Sequence, residues 1–151
     1  MAAVRIETQF SVFLVNKPGV LAQVTGALAE GKVNIIAMTL VDSQEHGVLR
    51  VVAGKTAEAL KALTALNLPL TQTDVLCVEL PNRPGALSDV ATLLSTHHIN
   101  INYAYVTSGA PGGKTTCIFK VADQNKAIKL LGDTIEKKKD NAFVHSSGGK
   151  R

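Results

Sequence analysis

The sequence contains no Trp, and aromatic residues fill only 4% of its 151 positions. A core must therefore be built from Val, Leu, Ile and Ala, which an apolar fraction of 46% supplies. Small domains this poor in aromatics gain stability by packing against copies of themselves. The scarcity also argues against an RNA-binding sheet, which displays rings among basic side chains. Only Tyr103, Tyr105 and Phe119 are available for that role, and no RNP-type motif surrounds them. Cysteine is as scarce. Cys77 and Cys117 each lie in an apolar strand pattern and read as small buried hydrophobes, since a metal site needs tighter clustering. The opening residues, MAAVRIETQF, contain no sustained apolar run. No secretory signal or membrane span is read there, and a reduced, cytoplasmic compartment is expected.

Excess charge is small as well. The formal net charge is +4, and much of it comes from Lys137, Lys138, Lys139, Lys150 and Arg151, near or in the tail. Basic residues at a helix end suit the negative pole of its dipole. No nucleic-acid partner and no membrane partner are expected.

What the chain does have is a repeat. Asn16 to Leu21 reads NKPGVL, and 66 residues later Asn82 to Leu87 reads NRPGAL. The same offset places Asn34-Ile35 on Asn100-Ile101, Gly47 on Gly113, Val24 on Val90 and Leu28 on Leu94. Each copy predicts the same elements. An alternating strand (10–15, then 75–80) runs into the Pro-Gly corner. A helix with one apolar stripe follows, with Pro18 and Pro84 expected at its first position, where φ is preset and no N–H is missed. A second strand starts at the Asn-Ile pair. Glycine-bearing turns then lead to a third strand, a second helix (56–66 and 123–138, with Thr56 and Asp123 as expected N-caps) and a last short strand (70–72 and 142–145). The expected fold is α+β: two ferredoxin-like βαββαβ units with antiparallel sheets, over 1–70 and 71–146. LPLTQT at 68–73 is too short for a free linker, and 147–151 reads as a disordered tail.

Strand, Asn-x-Pro-Gly-apolar-Leu, helix, then Asn-Ile at a second strand resembles the ACT domain, and both units match. The resemblance implies a regulatory module without a catalytic domain, a tandem ACT protein packed as an ACT-type pair. It implies an amino acid or similar small effector held where ACT units meet, against the strand-to-helix loop. It also implies side-by-side pairing, most simply a homodimer, with no cofactor and no metal. The residues it assigns to ligand binding are Asn16, Pro18, Gly19, Val20, Leu21, Asn34 and Ile35. In the second copy they are Asn82, Pro84, Gly85, Ala86, Leu87, Asn100 and Ile101.

Elementary chemistry agrees with that assignment. A helix start offers bare N–H groups to a carboxylate, glycine lets a ligand approach the backbone, and an Asn amide both donates and accepts. A plainer reading stands beside it: Pro-Gly serves only the turn and close packing, and the Asn residues only cap and turn. The copies also differ, with Ala37 and Thr39 replaced by Tyr103 and Tyr105, which are expected to fill space beside the second corner. An accessory subunit that controls a separate enzyme of amino-acid metabolism through the same pairing surface is the alternative function. Catalysis finds little support. His97-His98 reads as a solvated helix end, Ser88 and Asp89 have no evident base, and SGAPGGK at 108–114 lacks phosphate-loop spacing.

Overall fold

The structure is a computed structural model in which residues 4–15, 17–42, 46–108 and 113–132 are described. In chain order the elements are β1 (Val4–Val15), α1 (Val20–Glu30), β2 (Ile35–Asp42), β3 (His46–Ala53) and α2 (Thr56–Thr64), then β4 (Leu70–Pro81), α3 (Ala86–Thr96), β5 (Ile101–Ser108) and β6 (Lys114–Val121). A fourth helix, α4, follows at 124–132. The last short strand expected near 142–145, the end of the helix expected to reach residue 138 and the tail at 147–151 lie outside the described residues.

The chain divides into two compact units. The first comprises Glu7–Val75 and Tyr105–Thr107. Its strand order is β2-β3-β1-β4, with β1 and β2 antiparallel to β3. Alternation along β1 sends Phe10, Val12 and Leu14 to one face. There they meet Leu49 and Val51 of β3, Val24 and Leu28 of α1, and Ala59 and Leu63 of α2 in a closed aliphatic core. The second unit comprises Leu76–Ala104 with the described residues before Glu7 and after Thr107. Its strand order is β1-β4-β6-β5, with β4 antiparallel to β6. Leu76 and Val78, Cys117 and Phe119, Val90 and Leu94, and Ala127 and Leu131 form the matching core. Both units are ferredoxin-like, with helices packed on the sheet.

The strands differ from expectation at one junction. The short strand at 70–72 and the strand at 75–80 are a single element, β4. Between them stand Thr73 and Asp74, with no Gly or Pro to break the extended backbone, and the β-branched Thr71, Thr73 and Val75 favour it. Of the two expected helix caps, one needs correction. Thr56 is the first residue of α2, not its cap; Lys55, in extended conformation, stands at the cap without a side-chain bond. Asp123 does cap α4, accepting the Lys126 backbone N–H at 3.0 Å.

The larger correction concerns the corners. Pro18 and Pro84 are not the first helical residues; Val20 and Ala86 are. Gly19 and Gly85 occupy the N-cap positions with φ of +92° and +87°, in the left-handed region. Proline followed by a positive-φ glycine is the signature of a type II turn. In the second copy the turn closes with the Ala86 N–H donating to the Arg83 carbonyl at 3.4 Å. The first helical bonds match: Gln23 N–H to Gly19 O at 3.0 Å, and Asp89 N–H to Gly85 O at 2.9 Å.

The far ends of α1 and α3 match too. Val33 and Ile99 each donate back to Leu28 and Leu94, both at 2.9 Å, and Lys32 and His98 donate to Ala29 and Ser95, both at 3.0 Å. This is the paired-bond Schellman stop, whose left-handed position glycine usually fills. Here Lys32 (φ +56°) and His98 (φ +57°) fill it. His97 is the C-cap of α3, and its carbonyl accepts the Lys126 ammonium at 2.8 Å.

Opposite effects are therefore predicted at the two ends of each helix. Gly19→Ala and Gly85→Ala each force an L-residue into left-handed backbone and should lower stability by about 1–2 kcal/mol. Lys32→Gly and His98→Gly remove that same strain and should raise it by up to about 1 kcal/mol. Urea unfolding midpoints of the four variants check both signs.

Candidate functional site

Strand β1 runs out at Val15, and the Lys17 N–H turns back to the Val15 carbonyl at 2.9 Å. Pro18 and Gly19 complete the reversal, and among the described residues no side chain caps the N-terminus of α1. The partial positive charge of the helix therefore faces outward at this corner. A Cβ added at Gly19 would meet nothing among the described residues within 4 Å.

Beside the corner lies a cleft of about 260 Å³, lined by Leu14, Val15, Lys17, Val20, Leu21, Leu40, Val41 and Gly47. The sheet register explains this assembly. Gly47 of β3 pairs with Leu14 of β1 on one side and with Asp42 of β2 on the other, which brings the end of β2 level with the corner. Gly47 lacks a side chain where one would rise from the cleft floor. A Cβ there would sit 3.4 Å from the Val41 carbonyl and 3.6 Å from Leu40 Cδ1. The rim is apolar and wet: Val15 is 55% exposed, and Leu40 and Val41 are each 48% exposed. Lys17 is the one charged residue among the described residues of the lining.

The second corner repeats the backbone but not the opening. Arg83 N–H donates to the Pro81 carbonyl and Asn82 N–H to the Gly113 carbonyl, both at 2.9 Å. The Arg83 guanidinium then folds back over the turn. Its Nη1 donates to the Pro84 carbonyl at 3.2 Å and lies 3.9 Å from where a Cβ at Gly85 would stand. Its Nη2 reaches Asp89 Oδ2, in the first turn of α3, at 3.6 Å.

The residues singled out from sequence thus fall into separate places. Pro18, Gly19, Val20 and Leu21 stand together at the first corner, and Asn16 lies outside the described residues. Asn82, Pro84, Gly85, Ala86 and Leu87 stand together at the second, where Leu87 is 43% exposed. The Asn-Ile pairs are elsewhere. The 11 residues of α1, and likewise of α3, separate them from the corners by about 16 Å of helix. The Asn34 carbonyl accepts Gly54 N–H at 2.9 Å and the Asn100 carbonyl accepts Ala122 N–H at 3.1 Å, while Ile35 and Ile101 pack on the two cores. Asn100 and Ile101 also line a second hollow of about 480 Å³ with Ala91, Ser95, His98 and Ile99, on the far end of α3.

Sequence reasoning missed Leu14, Val15, Lys17, Leu40, Val41 and Gly47 as cleft residues. The repeat-matched glycines Gly47 and Gly113 were the available signal. Tyr105 makes a polar contact not expected from the sequence. Its hydroxyl donates to Gln9 Oε1 at 2.8 Å, on a side chain fully buried in the first unit.

Cys77 and Cys117 are both buried and not joined in a disulfide. Burial first, and the neighbouring Cys77 second, push the Cys117 thiol up to about 11, so it is neutral at physiological pH and a poor nucleophile. No group of three or more His, Cys, Asp or Glu that could hold a metal ion occurs among the described residues. None of the described helices is long and apolar enough to cross a membrane.

The family model described as an ACT domain pair matches residues 5–144. Among solved structures, protein BT0572 from Bacteroides thetaiotaomicron is 29% identical with a TM-score of 0.79, over 88% of this chain and 91% of that one. The regulatory subunit of aspartate kinase from Thermus thermophilus, in its ligand free form, is 16% identical with a TM-score of 0.63, over 86% and 95%. The regulatory subunit of aspartate kinase from Thermus flavus is 17% identical with a TM-score of 0.57, over 87% and 94%. These last two share the fold; their identity is too low to carry more. No curated protein matches the sequence. Because the family model takes in both corners, both helix-backed units and the strand that joins them, the chain belongs to the ACT domain pair family.

Proposed function

We propose that the chain is a non-catalytic regulatory protein whose effector, an amino acid or related small metabolite, binds at the strand-to-helix corners of its ACT units. The observation that carries this reading is the open cleft beside Gly19. A carboxylate set against the uncapped start of α1 meets bare N–H groups and the positive end of the helix dipole. The same molecule's side chain then lies on hydrocarbon from Leu14, Val20, Leu21 and Leu40. The two halves of such a ligand match the two halves of the site.

A second reading has its own support: the chain is an accessory subunit that controls a separate enzyme of amino-acid metabolism. The ACT domain pair family is the support for a regulatory role, and the aspartate kinase regulatory subunits that share its fold suggest only the class of target to test. The readings share a site and differ in what the bound state acts on. Either is compatible with a homodimer. β2 and β5 end their units' strand orders, and outer strands tend to be paired or covered.

A thermal-shift screen of the purified chain against the twenty amino acids tests the first reading. A ligand present at about 100 times its Kd adds about 2.7 kcal/mol of stability, a plainly visible rise in Tm. A flat response to all twenty contradicts an amino-acid effector. For the second reading, the tagged chain should retain one enzyme from native lysate, and the matching amino acid should change that enzyme's rate only when the chain is present.

A further inference from the structure

We infer that the two corners are not equivalent: the first holds a branched aliphatic amino acid, and the second is closed by its own Arg83–Asp89 pair. This rests on the reading of the corners as effector seats and says which ligand, and which seat. The first half follows from the cleft. At about 260 Å³ it falls below the roughly 300 Å³ at which pockets for drug-sized ligands begin, so it suits a single small metabolite. Among the described residues its lining is hydrocarbon apart from Lys17 and the backbone of Gly47. An acidic or amide side chain placed against Leu14, Val20 and Leu40 would lose water and find no partner there. An aliphatic one loses nothing, and its carboxylate faces the Lys17 ammonium and the start of α1.

The second half follows from what stands over Gly85. Position 17 is Lys and position 83 is Arg; position 23 is Gln and position 89 is Asp. Lys17 and Gln23 cannot form an ion pair with each other, whereas the second copy carries one across its corner, with Arg83 Nη2 3.6 Å from Asp89 Oδ2. Exposed ion pairs are individually weak. Asp89 is nevertheless tethered one helical turn from the guanidinium, so it competes with a free carboxylate at high effective concentration. The repeat-matched cleft positions are also poorer in hydrocarbon: Val15, Val20, Leu40 and Val41 correspond to Pro81, Ala86, Val106 and Thr107.

Titration calorimetry on the full chain tests this with L-leucine as the probe and L-phenylalanine and L-lysine as comparators. The expected result is one leucine per chain, bound at least tenfold more tightly than either comparator. Leu40→Ser and Gly47→Val should each weaken leucine binding at least tenfold with unchanged circular dichroism. If Gly47→Val fails to fold, Leu40→Ser alone decides. Arg83→Ala should leave leucine affinity within twofold, and Asp89→Ala, which frees Arg83, should add a second and weaker event. Two leucines per wild-type chain, or no second event in Asp89→Ala, overturns the closed second corner. Leucine, isoleucine and valine all failing where another amino acid binds overturns the aliphatic assignment and leaves the effector reading standing. No binding by any amino acid overturns both.

Discussion

The left-handed backbone at Gly19 and Gly85 is the constraint on which each unit depends. A strand must reverse into a helix within a few residues, so that the apolar stripe of the helix falls on the sheet the strand has just left. Proline presets one half of that turn and a positive-φ glycine supplies the other. The helix stripe Val20, Val24 and Leu28 then lands on Phe10, Val12 and Leu14. The same choice leaves no side chain at the cap. One residue type thus fixes the packing and leaves a helix start bare, and the geometry that makes the fold also makes the candidate site.

Much of the fold was readable because it is written in local signals. The period-two run of β1, the stripes of α1 and α3, and the Asp123 cap each depend on residues close in sequence. The merging of 70–72 with 75–80 into β4 was harder to read. Absence of a turn residue is a weak signal, and whether a strand continues depends on its neighbours in the sheet. Pro-Gly before a helix is compatible with proline inside the first turn or just ahead of it, and the sign of the glycine φ cannot be read from the letters. The cleft was least legible. Its residues come from β1, α1, β2 and β3, and the pairing of Leu14 with Gly47 is a matter of register, not periodicity. The Asn-Ile pairs repeat faithfully yet lie a full helix away from the corners. The backbone carbonyls of Asn34 and Asn100 accept matching bonds where β2 and β5 start.

The repeat preserves the turn more strictly than what surrounds it. Both copies keep the glycine φ, the Schellman stop and the aliphatic core. Side chains that touch the open space have diverged: Lys17 against Arg83, Gln23 against Asp89, Leu40 against Val106. Tyr105 has taken a task with no counterpart at Thr39, donating to the buried Gln9. Packing constrains both halves equally, whereas recognition needs to be kept only where a ligand binds.

The central claim is that an effector sits at a strand-to-helix corner, and amide chemical shifts test it most directly. Proton–nitrogen spectra of the labelled chain, recorded as the tightest-binding amino acid is added, should show the largest changes at Lys17, Gly19, Val20, Leu21 and Gly47. Those of Ser95, His98 and Ile99 should stay still. Changes concentrated at the far end of α3, with the Gly19 amide unmoved, would contradict the account.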